Sequence, residues 1–203
     1  MRNSISVVIK VAELGLILLI LVGCNSQQKK AQVFYNEIFK WKITIPDGLK
    51  EKNPEELDKS RKLGNQAIED TYGEKNDDSA ISIFAFENEK FEGIDAIYEA
   101  FDTEINGDFF ENCKLVNELI YTTLITQISV PIVIDTLTTI EQIDHLDFYV
   151  FKMNITYPNN SIFNWLMYSR LFNKQLFRVT ITFIDEELGN QMLDAWKNST
   201  FEK

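Results

Sequence analysis

Apolar and polar residues alternate strictly along Phe39-Lys40-Trp41-Lys42-Ile43-Thr44-Ile45, a period of two that predicts a strand with one dry and one wet face. Pro46-Asp47-Gly48 stops it with turn chemistry. A helix is expected to begin at Asn53-Pro54-Glu55-Glu56. There the Asn side chain can cap free backbone N–H groups, proline fits the first turn, and two acids favour the positive end of the helix dipole. Its end is expected near Tyr72-Gly73. After an acidic loop, Glu74 to Asp78, the segment Ile81 to Phe86 reads as a second strand, apolar on both faces and therefore interior.

Ile94, Ile97, Tyr98 and Phe101 stand at helical spacing, and so do Phe109, Cys113, Val116, Ile120 and Leu124. The stretch 92–128 therefore predicts two helices separated by a polar loop. The period changes after Pro131. β-Branched residues dominate Ile132 to Ile140, and Leu146 to Tyr157, Ile162 to Phe172 and Gln175 to Ile184 follow as long strands. Pro158-Asn159-Asn160-Ser161 and Asn173-Lys174 suit tight turns, which makes the last three strands an antiparallel meander. Asp185-Glu186-Glu187 opens a final helix. Its Leu188, Met192 and Trp196 form a stripe fit to cover Phe177, Val179, Ile181 and Phe183 of the preceding strand. The expected fold class is α+β: one domain over residues 33–203, an antiparallel sheet of about six strands with helices packed on it.

Two ends of this domain resemble the PsbP-like family, whose fold is shared with the Ran-binding nucleotide release factor. One is the opening strand and its Pro-Asp-Gly turn, Phe39 to Gly48; the other is the closing strand and helix, Phe177 to Phe201, ending Trp196-Lys197-Asn198-Ser199-Thr200-Phe201. The resemblance implies an α/β/α sandwich and a binding or accessory role. It implies no shared active site, and no functional residue carries over from it.

The N-terminus has a different character. Arg2 precedes an apolar stretch, Lys10 and Glu13 interrupt it, and an uncharged run follows from Leu14 to Gly23. At roughly 1.5 Å per helical residue that run covers about 15 Å, half of a hydrocarbon core about 30 Å thick, so it reads as the core of a signal peptide, not as a membrane span. It ends in Leu21-Val22-Gly23-Cys24, which resembles the lipobox of bacterial lipoprotein precursors. The pattern has a chemical reason: the thiol receives a diacylglyceryl group, and the peptidase cutting before it needs a small residue on the cut side. Residues 1–23 are thus expected to be removed, Cys24 to carry lipid, and 24–32 to form a polar flexible tether. Two or three acyl chains on one cysteine hold firmly to a bilayer, since each buried methylene contributes about 0.8 kcal/mol. The expected location is the cell envelope. Asn25 is not the Asp that retains many lipoproteins at the inner membrane, so the periplasmic face of the outer membrane is favoured where a cell has two.

Removing Arg2, Lys10 and Glu13 with the leader changes 20 basic against 31 acidic residues to 18 against 30. So acidic a domain repels phosphate backbones, and nucleic acid is not an expected partner. The expected partners are the membrane, through the lipid on Cys24, and an envelope protein. Cys113 is the one thiol left after lipidation, and it reads as a small core residue.

Catalytic signals are sparse. His145 is the sole histidine, beside Asp144 and Asp147, and reads as a solvated loop residue. No serine elbow, phosphate-cradling loop or dinucleotide fingerprint occurs, and no cofactor is implied. Asp102, Glu104, Asn106 and Asp108 echo the first half of a calcium loop, but Cys113 stands where a bidentate Glu should close the shell. A capped turn between two helices, with Asp108 as N-cap, explains the same residues. Two functions from different classes follow. One is a noncatalytic binding or accessory lipoprotein, with Tyr149, Trp165, Tyr168 and Phe172 as the candidate partner surface unless helices cover them. The other is an envelope hydrolase using carboxylates such as Asp102, Glu104 and Asp108, alone or with a metal ion.

Overall fold

In a computed structural model, residues 32–73, 79–90 and 92–202 are described. The expected leader 1–23, Cys24, nearly all of the expected tether and the acidic loop 74–78 lie outside the described residues. The chain opens with β1 (Gln32–Asn36), which claims the tether's last residue and was not foreseen, because Val33 and Tyr35 are exposed and leave no alternating signature. It pairs with β2 (Trp41–Ile45), where Trp41, Ile43 and Ile45 are buried and Lys42 and Thr44 exposed, the alternation expected. The short β3 (Lys50–Glu51) leads into α1 (Pro54–Tyr72). Asn53 caps this helix with a full capping box: its side chain accepts from the Glu55 and Glu56 N–H groups, and Glu56 accepts from the Asn53 N–H. Gly73 ends it in the left-handed conformation that favours glycine.

Next come β4 (Ile81–Glu87) and β5 (Gly93–Ala100). The latter corrects the helix expected over Ile94 to Phe101. Ile94, Ile97 and Tyr98 fit a period of 3.6 by coincidence, whereas Ile94, Ala96 and Tyr98 share one face and Asp95, Ile97 and Glu99 the other. Pairing on both sides, with β4 and with β9 (Gln175–Phe183), settles the competition for strand. A single turn, α2 (Thr103–Asn106), precedes α3 (Phe109–Gln127), the second helix expected in this stretch. Then β6 (Val133–Ile143), β7 (Leu146–Thr156), β8 (Ile162–Phe172) and β9 run as one continuous antiparallel meander. The meander is one strand longer than expected, because Asp144 and His145 both take positive φ and close a two-residue hairpin between β6 and β7. Helix α4 (Glu186–Lys197) and β10 (Thr200–Phe201), which pairs with β2, complete the chain.

The described fold is α+β. A seven-stranded sheet has the order β3-β4-β5-β9-β8-β7-β6, and a three-stranded sheet has the order β1-β2-β10. The small sheet and α4 cover one face of the large sheet. There Phe84, Phe86, Ile94, Phe148, Val150, Tyr168, Phe177, Val179 and Ile181 meet Trp41, Ile43, Met192 and Trp196 in one buried cluster. Trp196 is fully buried, its ring 5.1 Å from Phe148, 5.3 Å from Tyr168 and 5.8 Å from Trp41. Helix α4 seats this closely because position 189 is glycine: a Cβ there would overlap the Phe183 ring. On the opposite face a smaller cluster, Phe151, Met153, Ile155 and Met167, lies under Val116, Ile120 and Leu124 of α3. Residues 31–203 form one compact unit that contains every one of these elements and both clusters.

Candidate functional site

The second face of the large sheet is closed only in part. Lys52 N donates to Ala85 O at 2.8 Å, so the chain leaves the sheet edge at β3 and turns straight into α1, which leans on α3. None of the residues of α1 is buried. Beneath it lies a cavity of about 590 Å³, within the range typical of small-molecule sites. Its sheet side is built from Ser82 and Ala85 of β4, Asp95 and Ile97 of β5, and Trp165 of β8; its helix side includes Pro54, Leu57, Asp58 and Arg61. The space has a clear origin. Small side chains at 82 and 85 lie low beside Trp165 and Ile97, and α1 supplies Leu57 as the large apolar residue facing them.

Charges in the lining are mostly paired. The Lys52 ammonium meets Glu87 at 2.5 Å and donates to Ser60 Oγ at 3.0 Å, tying α1 to the sheet. Arg61 pairs with Asp58 at 3.3 Å. Asp95 differs: set opposite Ala85 and Thr180 in the ladders, its carboxyl makes no hydrogen bond or ion pair with another described residue. Burial pushes its pKa up to about 7, opposed by the Lys52 charge and reinforced by Glu87. The Trp165 indole N–H is buried and also lacks a partner. A half-open cavity of mixed apolar and polar lining, with an unpaired carboxyl and an unpaired donor, is equipped to hold a small molecule and to titrate near neutrality.

The residues singled out from sequence fall elsewhere, except one. Tyr149, Trp165, Tyr168 and Phe172 do not share a surface. Tyr168 is fully buried and Phe172 half-buried on the first face; Tyr149 packs under Phe109 and Phe110 of α3 on the second. Much of both faces of β7 and β8 is covered, which is why these two strands are apolar on both. Trp165 alone lines the cavity. Asp102 caps α2 and receives the Lys174 ammonium at 2.5 Å, which holds its carboxyl below the usual range. Asn106 accepts from the Asp102 N–H, and Asp108 caps α3 through the Phe110 and Glu111 N–H groups. Glu104 is exposed. The oxygens of Asp102, Asn106 and Asp108 are thus engaged by local backbone N–H groups and, at Asp102, by Lys174. Among the described residues no group of three or more His, Cys, Asp or Glu is placed to hold a metal ion. His145 is an exposed hairpin residue. Cys113 is buried, and that burial pushes its thiol up to about 11, away from nucleophilic use.

Two buried charged groups escaped the sequence reading. Glu92 is buried, which alone would raise its pKa, but Asn88 and the Asp185 and Ile184 N–H groups donate to it and lower the pKa below the ordinary value. It pins the β4–β5 hairpin to the start of α4. Arg178 pairs with Glu99 on the second face and reaches Asn112 of α3 at 3.4 Å. Both are packing devices. Lys52 and Asp95 were also missed; a carboxylate inside Gly93-Ile94-Asp95-Ala96-Ile97-Tyr98 was the available signal, masked by the helical reading of that stretch.

No family model matches this chain, and no curated protein is similar to it at a significant level. Among solved structures it is similar to the solution structure of cyanobacterial PsbP (CyanoP) from Synechocystis sp. PCC 6803. The TM-score is 0.53 at 9% sequence identity, over 90% of this chain and 99% of that one. So low an identity speaks for architecture alone: the domain has a PsbP-like fold.

Proposed function

We propose that this protein is an exported lipoprotein, anchored to the cell envelope through lipid on Cys24, whose PsbP-like domain is a noncatalytic binding or accessory module. The cavity of about 590 Å³ beneath α1 carries the binding reading: it combines apolar and polar walls, and two of its polar groups, the Asp95 carboxyl and the Trp165 indole N–H, have no hydrogen-bond partner among the described residues. The lipobox Leu21-Val22-Gly23-Cys24 supports the anchor, and the polar run Asn25-Ser26-Gln27-Gln28-Lys29-Lys30 within the expected tether 24–32 agrees with it. An outer-membrane location facing the periplasm, in a cell with two membranes, and an envelope protein as partner belong to the same proposal.

The test is made in cells. Wild type and Cys24→Ser are labelled with a fatty acid, fractionated and crosslinked in situ. Wild type is expected to take up label, to sediment with membranes and to form a discrete adduct that needs the lipid. Equal label in both proteins would overturn the anchor, and an adduct-free wild type would overturn the accessory role.

A further inference from the structure

We propose that the cavity beneath α1 binds a small organic ammonium, a primary amine on an apolar or aromatic body, whose cation pairs with Asp95 while the body lies against Trp165, Ile97 and Leu57. The proposal rests on reading the domain as a binding module and names the chemistry of its ligand. Charge bookkeeping in the lining decides the class. Lys52 pairs with Glu87, and Arg61 shares Asp58 with Lys62, so a ligand anion would meet cations already engaged and would also face Asp95. The carboxyl of Asp95 is the lining charge with no ion pair, and an isolated carboxylate away from water is costly until a cation joins it. A neutral alcohol would satisfy one hydrogen bond and leave the charge. The walls select the rest of the molecule: Leu57 on the helix side and Ile97 and Trp165 on the sheet side are the large apolar lining against which an aromatic or aliphatic body would rest.

Binding should then depend on pH with a definite sign. The groups facing Asp95 are Lys52 of the β3–α1 junction, Glu87 of β4, and Asp58 and Arg61 of α1. Burial pushes Asp95 up to about 7, so a cation should bind better as the pH rises and the carboxyl ionises.

Residues 31–203 labelled with ¹⁵N are titrated with 2-phenylethylamine, with 2-phenylethanol and with 3-phenylpropanoate, following the Trp165 indole N–H and the Ser82 and Ile97 amides. The amine is expected to give saturable shifts, with the alcohol and the carboxylate at least about tenfold weaker and amine affinity rising roughly tenfold between pH 6 and 8. Asp95→Asn should remove both the preference and the pH dependence, while Ala85→Leu, which fills space and leaves the charges alone, should weaken all three probes. Alcohol or carboxylate binding as tightly as the amine, or an Asp95→Asn protein that keeps its preference, would overturn the ammonium assignment and leave the binding module standing. No saturable shift from any of the three would overturn the cavity as a site, and the accessory role would still be judged by crosslinking in cells.

Discussion

The two faces of the seven-stranded sheet are made from the same strands and finished differently. On the first, α4 and the small sheet press Trp41, Trp196 and a dozen and more partner side chains into a continuous core in which large aromatics meet edge to face. On the second, α3 covers the β7 and β8 end tightly, while α1 spans the β4 and β5 end with no buried residue of its own. The difference teaches where stability and function are separated in this domain. The clustered part of the first face is filled by aromatic and aliphatic side chains, whereas a helix held by a lysine tie, a cap, its contact with α3 and a few apolar contacts leaves a cavity with an unpaired carboxyl.

The largest expected effect lies on the closed face. Trp196→Ala removes a fully buried ring from the middle of the aromatic cluster and should cost about 3–5 kcal/mol in urea unfolding of residues 31–203. That is a large share of a typical domain's stability of about 5–15 kcal/mol. A loss below about 1 kcal/mol would mean that α4 is loosely docked and that the two faces do not differ as described.

Asp95 should show the opposite sign. An unfolded-state aspartate ionises near about 3.9, whereas in the folded domain burial pushes Asp95 to about 7. Between these values the folded state keeps a proton that the unfolded state has lost, so this residue's contribution to stability falls as pH rises through that window. Asp95→Asn should therefore raise the urea midpoint at pH 8, with the gain shrinking toward pH 4. A gain independent of pH, or a loss at pH 8, would contradict the unpaired carboxyl.

Smaller still is the cap of α1. Asn53→Ala should cost about 1 kcal/mol, the usual value for an N-cap, and it should appear as faster amide exchange along α1 with little change in α4. Calcium should do nothing. A ligand at 100 times its dissociation constant stabilises by about 2.7 kcal/mol, so an unchanged melting midpoint with millimolar calcium or with chelator is the expected result, and a rise abolished by Asp102→Ala would reopen the loop 102–108 as a site.

What could be read from sequence divides along the same line. The strand at Trp41, the capping box of α1, the meander and the stripe of α4 were legible because each depends on a local period or a cap. The edge strands were not: β3 and β10 are two residues long and owe their conformation to ladder partners far along the chain, and β1, though it pairs with neighbouring β2, exposes Val33 and Tyr35. In β5 a local period pointed the wrong way, and tertiary pairing on both sides overrode it. The cavity was beyond reach for a related reason. It is the space left where small residues of β4 lie under a helix that does not fill it, and no residue signals that alone. Trp165 was noticed as an aromatic in search of a surface; its neighbours in the fold, Asp95 and Lys52, come from segments 70 and 113 positions away.

Native-state hydrogen exchange of residues 31–203 bears most directly on the division between a closed face and a binding face. The account predicts that the amides of α1 open at a small fraction of the global free energy while those of α4 exchange only with global unfolding, and that 2-phenylethylamine raises protection in α1 selectively. Equal protection in the two helices, unmoved by the amine, would contradict it.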